Sequence, residues 1–410
     1  MKSMKRLLIA VMTAAMALTS GGCQMENTDT NKAKYVFLMI GDGMGNSHID
    51  ITESYISSKA GKIGGEQLTM TQFPFYGTCT TFCEDKTITC SAASGTAIAC
   101  GQKTYYSRLG CDKDFNRLES MAYNLKEGGY KIGILSSVPI NHATPAAFYA
   151  SVKSRSDGYG IIQQIPESGF EFIGGSGIQD MYGEDGNQLK ADKYLEQRGY
   201  EVCFGEEEFH EAADTCEKIV LCQYKNKDGN PKTYASDEDE DKTDMSLATM
   251  LKLAIEHLGE EEPFFIMCEG GEIDWAGHSN LTMPMIDAVI KFDDAIAVAY
   301  EFYKQHPEET LIVVTADHET GGISLGQGES WSNTFIDWAK IEENWEKEKG
   351  NCYKDAKANR EFNEAAHIGW TTSYHTGGAV PVYSIGKGAE KFAGRIDNAE
   401  IKGKILEIVK

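Results

Sequence analysis

Acidic residues and histidines stand directly after several apolar runs of this chain, and both residue types bind divalent metal ions. They are Asp42, Glu269 and the adjacent pair Asp317 and His318. The pair follows the apolar run 311–314, which predicts a buried strand. If such strands are parallel, their carboxyl ends meet at one edge of a sheet, where α/β proteins build their sites. We therefore expect a metal centre at that edge.

Asp274 and His278 are a further acid and imidazole, four residues apart. On a helix this spacing places both side chains on one face. A surface ion pair is the common explanation of a single such pair. Metal binding is the alternative, because the pair follows residues 264–268, a run too apolar for a surface element. His375 permits no interpretation on its own.

Ser91 enters a run of small residues, 89–97, that could continue as a helix. A serine at a helix N-terminus is most often only a cap. The functional alternative is a nucleophile, because free N–H groups and the helix dipole favour an alkoxide and a bound phosphate there. Asp42 lies between Gly41 and Gly43, where turn formation is the commoner explanation. Each of these residues alone is weak evidence for a functional site, and only together do they support one.

Alternating helix and strand patterns must position these residues. The clearest helix is 247–258, which has apolar residues on one face and ends before Gly259. Further helices are predicted at 118–125 and 289–303, and strands at 35–40, 131–136, 264–268 and 311–314. The pattern predicts an α/β fold, with a central, mostly parallel sheet and helices on both faces.

Two stretches, residues 157–245 and 326–374, do not follow this pattern. We expect both to leave the sheet, as inserted loops or a cap within a single domain of residues 34–410. The first contains the acidic run 237–241, which lacks the glycine-punctuated spacing of calcium loops. A solvated loop is the better interpretation of that run.

The first 22 residues have the basic, apolar and small-residue segments of an export signal. We expect Cys23 to carry a lipid, with plain cleavage as the alternative, and residues 23–33 to form a tether. The protein would then lie in the periplasm or cell envelope, with membrane attachment through that lipid. Export permits disulfides, but no spacing among the eleven cysteines proves a pairing.

The charge balance narrows the class of partner. The chain has 39 basic and 62 acidic residues, which give a net charge of −23. A nucleic-acid-binding surface needs basic residues that neutralise phosphates, so the composition argues against such a partner. A small molecule or a metal ion is the expected partner.

The chemistry-bearing motifs share an order and relative spacing that resemble the alkaline phosphatase family, over about residues 34–395. They are Asp42, the Ser91 segment, residues 142–147, Arg155, residues 269–278, residues 315–318 and residues 375–377. The resemblance implies a phosphomonoesterase that acts on small phosphate monoesters. It also implies a homodimer.

The same resemblance implies a site with two zinc ions and one magnesium ion. The ligands would be Asp274, His278 and His375 for the first zinc, Asp42, Asp317, His318 and Ser91 for the second, and Asp42, Thr144 and Glu269 for magnesium. Nitrogen and carboxylate ligands suit zinc, and an all-oxygen set suits a harder ion. Ser91 would attack phosphorus to form a phosphoserine, and Arg155 would clamp two phosphoryl oxygens.

Three positions near this site depart from the best-known bacterial pattern of the family. Cys90 stands in place of an aspartate, His142 in place of another, and Trp275 in place of a lysine. The last two changes leave open the identity of the third metal and the water-mediated phosphate contacts. Trp275 could equally be a packing residue, and no role for Cys90 follows from the sequence.

Two other functions fit part of the pattern. The nearer is a related hydrolase of phosphodiesters or sulfate esters. Arg155 and the segment 326–374 favour monoesters instead, and the Cys-x-Pro-x-Arg signature of sulfatases is absent. The other is a surface lipoprotein that only binds metal or a glycan. It predicts no turnover, which a complete set of nucleophile, arginine and ligands disfavours.

Overall fold

The computed structural model describes residues 32–183, 186–223, 245–328 and 335–410. The predicted export signal, Cys23, most of the tether and the acidic run 237–241 lie outside the described residues. No described helix is long and apolar enough to cross a membrane.

Helices and strands alternate along most of the chain. The strands are β1 (Tyr35–Gly41), β2 (Phe75–Thr80), β3 (Lys131–Ser136), β4 (Phe172–Gly175), β5 (Glu201–Phe204), β6 (Ile219–Cys222), β7 (Phe264–Gly270), β8 (Thr310–Thr315), β9 (Glu319–Thr320), β10 (Ile323–Leu325), β11 (Ile368–Trp370), β12 (His375–Thr376), β13 (Val380–Gly386) and β14 (Gly394–Asp397). The α-helices are α1 (Asn46–Lys59), α2 (Ser91–Cys100), α3 (Met121–Glu127), α4 (Ala143–Ala146), α5 (Gly158–Ile162), α6 (Ile165–Ser168), α7 (Ala191–Glu196), α8 (Glu206–Ala213), α9 (Leu247–Leu258), α10 (Glu272–His278), α11 (Thr282–Gln305), α12 (Trp338–Cys352), α13 (Ala356–Ala365) and α14 (Glu400–Ile408).

Ten strands form one large sheet in the order β14-β2-β13-β8-β1-β7-β3-β4-β6-β5. Among the strands that the structure describes in this sheet, only β13 runs antiparallel to its neighbours, β2 and β8. The other pairs are parallel, as between β1 and both β7 and β8. The predicted α/β class, with a mostly parallel central sheet, is therefore confirmed.

The centre of the sheet is built from continuous apolar runs. Every residue of β1, β7 and β8 is buried, which is expected of parallel strands that are covered on both faces. At one end of these strands the Phe264 ring packs against the rings of Tyr35, Phe37 and Phe302, with centroids 4.9 to 5.4 Å apart. This apolar centre holds the strands whose carboxyl ends carry the acids.

The predicted helix boundaries agree with the structure where a cap is present. Helix α9 spans the predicted residues 247–258, because the Ser246 side chain accepts a hydrogen bond from the Thr249 N–H and Gly259 ends the helix. Helix α11 begins earlier than predicted, at Thr282. Its Pro284 lies in the first turn, where the missing N–H has no partner within the helix to lose.

The described part of residues 157–245 does not leave the sheet, so the expectation is wrong for that part. It contributes β4, β6 and β5, which extend the sheet at one end. Each of these strands has only four residues, too few for a clear periodic pattern in the sequence. By contrast, the described part of residues 326–374 adds no strand to the large sheet. It forms α12, α13 and β11, and β11 pairs with β10 in a small separate sheet.

Substituting Phe264 tests this account of the core. We expect Phe264→Ala to lower the free energy of unfolding by about 3–5 kcal/mol, because it removes a fully buried ring and leaves a cavity. Denaturant unfolding followed by fluorescence measures the change. Phe335→Ala is the matched control, since its ring is 65% exposed and the change should stay within about 0.5 kcal/mol. Equal losses in the two variants would contradict the packing argument.

Candidate metal centre and nucleophile

The candidate site lies at the edge of the sheet where β1, β7 and β8 end side by side. Ile40 of β1 pairs with Glu269 of β7 and with Thr315 of β8. Asp42 follows β1 and Asp317 follows β8, so the strand register brings three acids to one place. All three carboxylates are fully buried. The predicted meeting of these acids at one edge is therefore present.

Three sets of described side chains each have potential ligand atoms within 4.8 Å of one another. We name them by number: the first ligand group is Asp274, His278 and His375, the second is Asp42, Asp317 and His318, and the third is Asp42, His142 and Glu269. Asp42 belongs to the second and third groups and joins them. The structure thus brings all the predicted aspartate, glutamate and histidine ligands together, and it adds His142.

In the first ligand group, two imidazoles and a carboxylate face one another. His278 Nε2 lies 3.3 Å from an oxygen of Asp274 and 3.2 Å from His375 Nε2. His375 Nε2 lies 3.5 Å from the other Asp274 oxygen. Strand β12 brings His375 here, because it pairs with β9, which follows His318 directly.

The outer nitrogens of these two histidines are fixed by backbone carbonyls. His278 Nδ1 lies 2.7 Å from the Ser373 oxygen, and His375 Nδ1 lies 2.9 Å from the Thr89 oxygen. A carbonyl oxygen only accepts, so each Nδ1 donates. In the neutral rings each Nε2 then presents a lone pair toward Asp274, which is the arrangement of metal-binding histidines.

The second ligand group surrounds His318 Nε2, which lies 3.3 Å from both Asp42 and Asp317. The far oxygen of Asp317 accepts hydrogen bonds from the N–H groups of Gly43 and His318. Ser91 joins this group, because its Oγ lies 3.2 Å from His318 Nε2. The predicted nucleophile and the ligands predicted for its metal are therefore neighbours.

The third ligand group is dominated by oxygen. Thr144 Oγ1 lies 3.5 Å from Asp42, and Ser136 Oγ donates to Glu269. His142 Nδ1 lies 4.0 Å from the other oxygen of Glu269. His142 Nε2 accepts a hydrogen bond from the guanidinium of Arg155, which can only donate. A neutral His142 therefore has its proton on Nδ1 and presents a donor, not a lone pair, to this group.

Ser91 is the first residue of α2, so its hydroxyl lies where backbone N–H groups are free. All ten residues of this helix are buried, which its small side chains make possible. At Gly95 an added Cβ would lie 3.3 Å from Thr144 Cα and from Ala147 Cβ. This close contact between α2 and α4 holds Ser91 and Thr144 beside the same metal groups.

Arg155 also lines the pocket and reaches the nucleophile. Its Nη1 lies 3.3 Å from Ser91 Oγ, and its Nη2 lies 2.9 Å from His142 Nε2. The guanidinium therefore faces the space in front of the hydroxyl. A planar group with two parallel donors matches two oxygens of a phosphoryl group.

Four buried atoms in these groups have no hydrogen-bond partner. They are Asp42 Oδ1, His142 Nδ1, Glu269 Oε1 and Asp317 Oδ2, four of the eight such atoms in the described residues. Buried polar atoms are ordinarily paired, so a concentration of unpaired ones in one place requires an explanation. Cations bound to the carboxylates would pair the three oxygens, and the ligand groups fit such ions.

Crowding of the carboxylates shifts their pKa values. Burial, together with the charges of neighbouring acids, raises the pKa of both Asp42 and Asp317. Burial alone would do the same to Asp274, but in the absence of a metal the hydrogen bonds that His278 and His375 donate as protonated rings bring its pKa well below the usual value. A divalent ion would offset the repulsion in the second group, where the only imidazole is His318, whose own pKa is lowered by burial.

A pocket of about 450 Å³ opens in front of Ser91. Its lining includes Arg155, Asp274, Lys86, Tyr106 and Tyr374. Trp275 also lines it, and its ring meets the His142 ring edge to face at 5.9 Å. Both interpretations of Trp275 therefore apply, because the side chain packs on His142 and also faces the pocket.

Two supporting residues did not emerge from the sequence. Thr320 Oγ1 bonds Asp274 and His318 Nδ1, and Ser136 Oγ bonds Glu269. The sequence position of each residue could have identified it as a candidate. Ser136 ends a predicted strand, and Thr320 lies two residues after His318, on the same side of an extended chain.

Comparison with known proteins gives a consistent result. The model of the family described as alkaline phosphatase matches residues 33–410. Alkaline phosphatase 4 of Bacillus subtilis is 32% identical, covering 100% of this chain and 98% of that protein. Alkaline phosphatase 3 of the same organism is 30% identical, covering 98% and 96%.

The solved structures agree. Alkaline phosphatase from the Antarctic bacterium TAB5 superposes with a TM-score of 0.73 at 28% identity, covering 92% of this chain and 98% of that one. A mutant of the TAB5 enzyme has been solved with Mg bound in its M3 site. With the family model matching nearly the whole described chain, this protein belongs to the alkaline phosphatase family of phosphomonoester hydrolases.

Proposed function

We propose that this enzyme hydrolyses phosphate monoesters in the pocket in front of Ser91, with Ser91 as nucleophile and Arg155 as the phosphoryl clamp. One observation carries the proposal. The Ser91 hydroxyl oxygen lies 3.2 Å from His318 Nε2 and 3.3 Å from Arg155 Nη1. A phosphoryl group that approached this oxygen would meet the guanidinium on one side and the second ligand group on the other.

The donor atoms support two zinc ions and one magnesium ion. The first ligand group offers two imidazoles and a carboxylate, and the second offers one imidazole, two carboxylates and the Ser91 hydroxyl, which suit zinc. The third group offers Asp42, Glu269 and Thr144 oxygens, while His142 points a donor toward it, which favours a hard ion such as magnesium. The Mg bound in the TAB5 mutant is a parallel case. When bound, such ions would lower the pKa of attacking groups and neutralise charge on the oxygens around phosphorus.

The protein groups bind and orient the reacting atoms. The free N–H groups and dipole at the start of α2 stabilise negative charge on Ser91 Oγ and on a bound phosphoryl group. As the bond from Oγ to phosphorus forms, the bond from phosphorus to the ester oxygen breaks and the alcohol leaves with a proton. Water then cleaves the phosphoserine, which releases inorganic phosphate and restores the Ser91 hydroxyl. Arg155 holds two phosphoryl oxygens through both steps.

We also propose that the chain is exported and anchored through a lipid on Cys23, and that it acts as a homodimer. The basic, apolar and small-residue segments before Cys23 support export. The homodimer rests on family resemblance. Labelling with a radioactive fatty acid and a Cys23→Ser control test the anchor, and sedimentation of the protein without its first 22 residues tests the dimer.

Substrate comparison with and without a chelator tests the proposed activity. A chromogenic phosphate monoester should be hydrolysed much faster than the matching diester and sulfate ester. Incubation with a chelator should abolish the reaction, and zinc with magnesium should restore it. Faster hydrolysis of the diester, or full activity after the metals are removed, would overturn the proposal.

Removing the nucleophile separates chemistry from metal binding. Ser91→Ala should lower kcat by at least about a thousandfold, because no phosphoserine can form. Its zinc content, measured by elemental analysis, should stay nearly intact, since Asp42, Asp317 and His318 remain. Ser384→Ala is the control, a buried serine whose hydroxyl donates to the Ala389 carbonyl, and it should keep normal activity. An active Ser91→Ala enzyme would refute the mechanism.

Removing one histidine tests the metal assignment. His375→Ala leaves the first ligand group with two ligands, and we expect the purified protein to lose about one equivalent of zinc. Elemental analysis after dialysis measures the loss. His257→Ala is the control, because it removes an imidazole that lies 3.0 Å from the Glu217 backbone oxygen and belongs to none of the three ligand groups. Full zinc occupancy in His375→Ala would contradict the assignment.

A further inference from the structure

Cys90 precedes the nucleophile and is the N-cap residue of α2, yet its side chain does not cap the helix. The thiol is buried, with 3% of the residue exposed. Its sulfur accepts a hydrogen bond from the Ser107 N–H, at a distance of 3.1 Å. Cys90 therefore connects the start of the nucleophile helix to the loop that carries Ser107.

Ser107 has an uncommon backbone conformation, with a φ of 68°. Residues other than glycine avoid this left-handed region unless their surroundings hold them there. Both peptide groups of Ser107 are engaged. Its N–H donates to Cys90 Sγ, and its carbonyl oxygen accepts the N–H of Arg155 at 3.1 Å. The contacts form a continuous chain from Cys90 through Ser107 to the backbone of Arg155.

Other backbone contacts also hold this loop, including the Arg108 N–H, which donates to the Tyr105 carbonyl at 3.1 Å and closes the turn around Ser107. Leu109 and Val152 exchange backbone hydrogen bonds of 3.3 and 2.9 Å, which join the loop to the segment before Arg155. The Tyr106 N–H donates to Asp85 at 2.8 Å. Between these points, Cys90 Sγ is the acceptor of the Ser107 N–H. Without it, that part-buried donor would lose its protein partner and the strained turn would lose one of its restraints.

We propose that Cys90 is a positioning residue, whose sulfur holds Ser107 so that the Ser107 carbonyl sets the position of Arg155 in front of Ser91. This inference rests on the phosphoryl-clamp role of Arg155 proposed above. The alternative is that the thiol only fills space beside α2. The two hypotheses require different properties of the side chain, because positioning needs a hydrogen-bond acceptor and packing needs only volume.

Two substitutions at Cys90 distinguish a role as hydrogen-bond acceptor from a role in packing alone. Cys90→Val fills the space without an acceptor, and the extended backbone of this residue, with a φ of −128°, accommodates a β-branched side chain. Cys90→Ser keeps an acceptor. We expect Cys90→Val to lower kcat/KM by about tenfold and to raise the inhibition constant of inorganic phosphate by a similar factor. Cys90→Ser should stay within about threefold of the parent in both measurements.

The controls address folding and general loss of a thiol. Cys100→Ala removes a buried thiol from the other end of α2 and should leave phosphate inhibition unchanged. Thermal unfolding and zinc content are measured for each variant, and Cys90→Val should keep both close to the parent. Equal behaviour of Cys90→Val and Cys90→Ser, or a loss of zinc that accounts for the lower activity, would overturn the positioning role.

A double-mutant cycle shows which residue Cys90 acts through. If it acts through Arg155, Cys90→Val should change phosphate inhibition and kcat/KM little in an Arg155→Ala background. The same tenfold loss in both backgrounds would overturn the inference and leave the proposed mechanism standing. Normal phosphate inhibition in Arg155→Ala itself would refute the clamp role and the inference with it. Monoesterase activity that depends on Ser91 would remain as separate evidence for the proposed function.

Discussion

The burial of four carboxylates at one edge of the sheet is the constraint on which the rest of this structure depends. Asp42, Glu269, Asp274 and Asp317 are each at most 3% exposed, and their ligand atoms lie close together. Unpaired buried charge is costly, so such a cluster is stable only if protons or cations neutralise it. Because the apolar strands bury these acids together, bound metal ions would stabilise the cluster. The surrounding side chains supply the remaining ligands for such ions.

Backbone groups help to hold this arrangement in place. Carbonyls of Ser373 and Thr89 orient two imidazoles, and N–H groups of Gly43 and His318 bind one oxygen of Asp317. The short pairing of β9 with β12 carries His375 across to the metal groups. Backbone contacts of this kind change little with side-chain identity. They explain how ligands from distant parts of the chain keep a common geometry.

Sequence patterns predicted those parts of the site that depend on local structure. Strand ends placed Asp42, Glu269 and Asp317, and a helical spacing paired Asp274 with His278, because both signals are short-range. His375, Thr144 and Arg155 acquired roles only through the family resemblance, since their positions depend on tertiary contacts. The supporting contacts of Ser136, Thr320 and Cys90 were missed for the same reason, as were the four-residue strands β4, β5 and β6. Ser107 illustrates the limit: no periodicity indicates that a serine will adopt a left-handed conformation and hold the backbone of an arginine.

The net charge of −23 poses a question for an enzyme whose substrate is a phosphate dianion, because the overall field should repel it. The charges close to the pocket, and not the net charge of the chain, dominate the electrostatic potential that the substrate meets. The carboxylates of the ligand groups are buried, and of these only Asp274 lines the pocket, together with the cations of Arg155 and Lys86. With divalent ions on each ligand group, the metals would carry more positive charge than the four carboxylates cancel, and the sign of the local field would invert. A bound dianion would then face cations at contact distance, while salt would largely screen the charges of surface acids more than about 10 Å away. The acids that would repel an anion in the absence of metals are therefore the same groups that, by holding the metals, would favour the binding of phosphate.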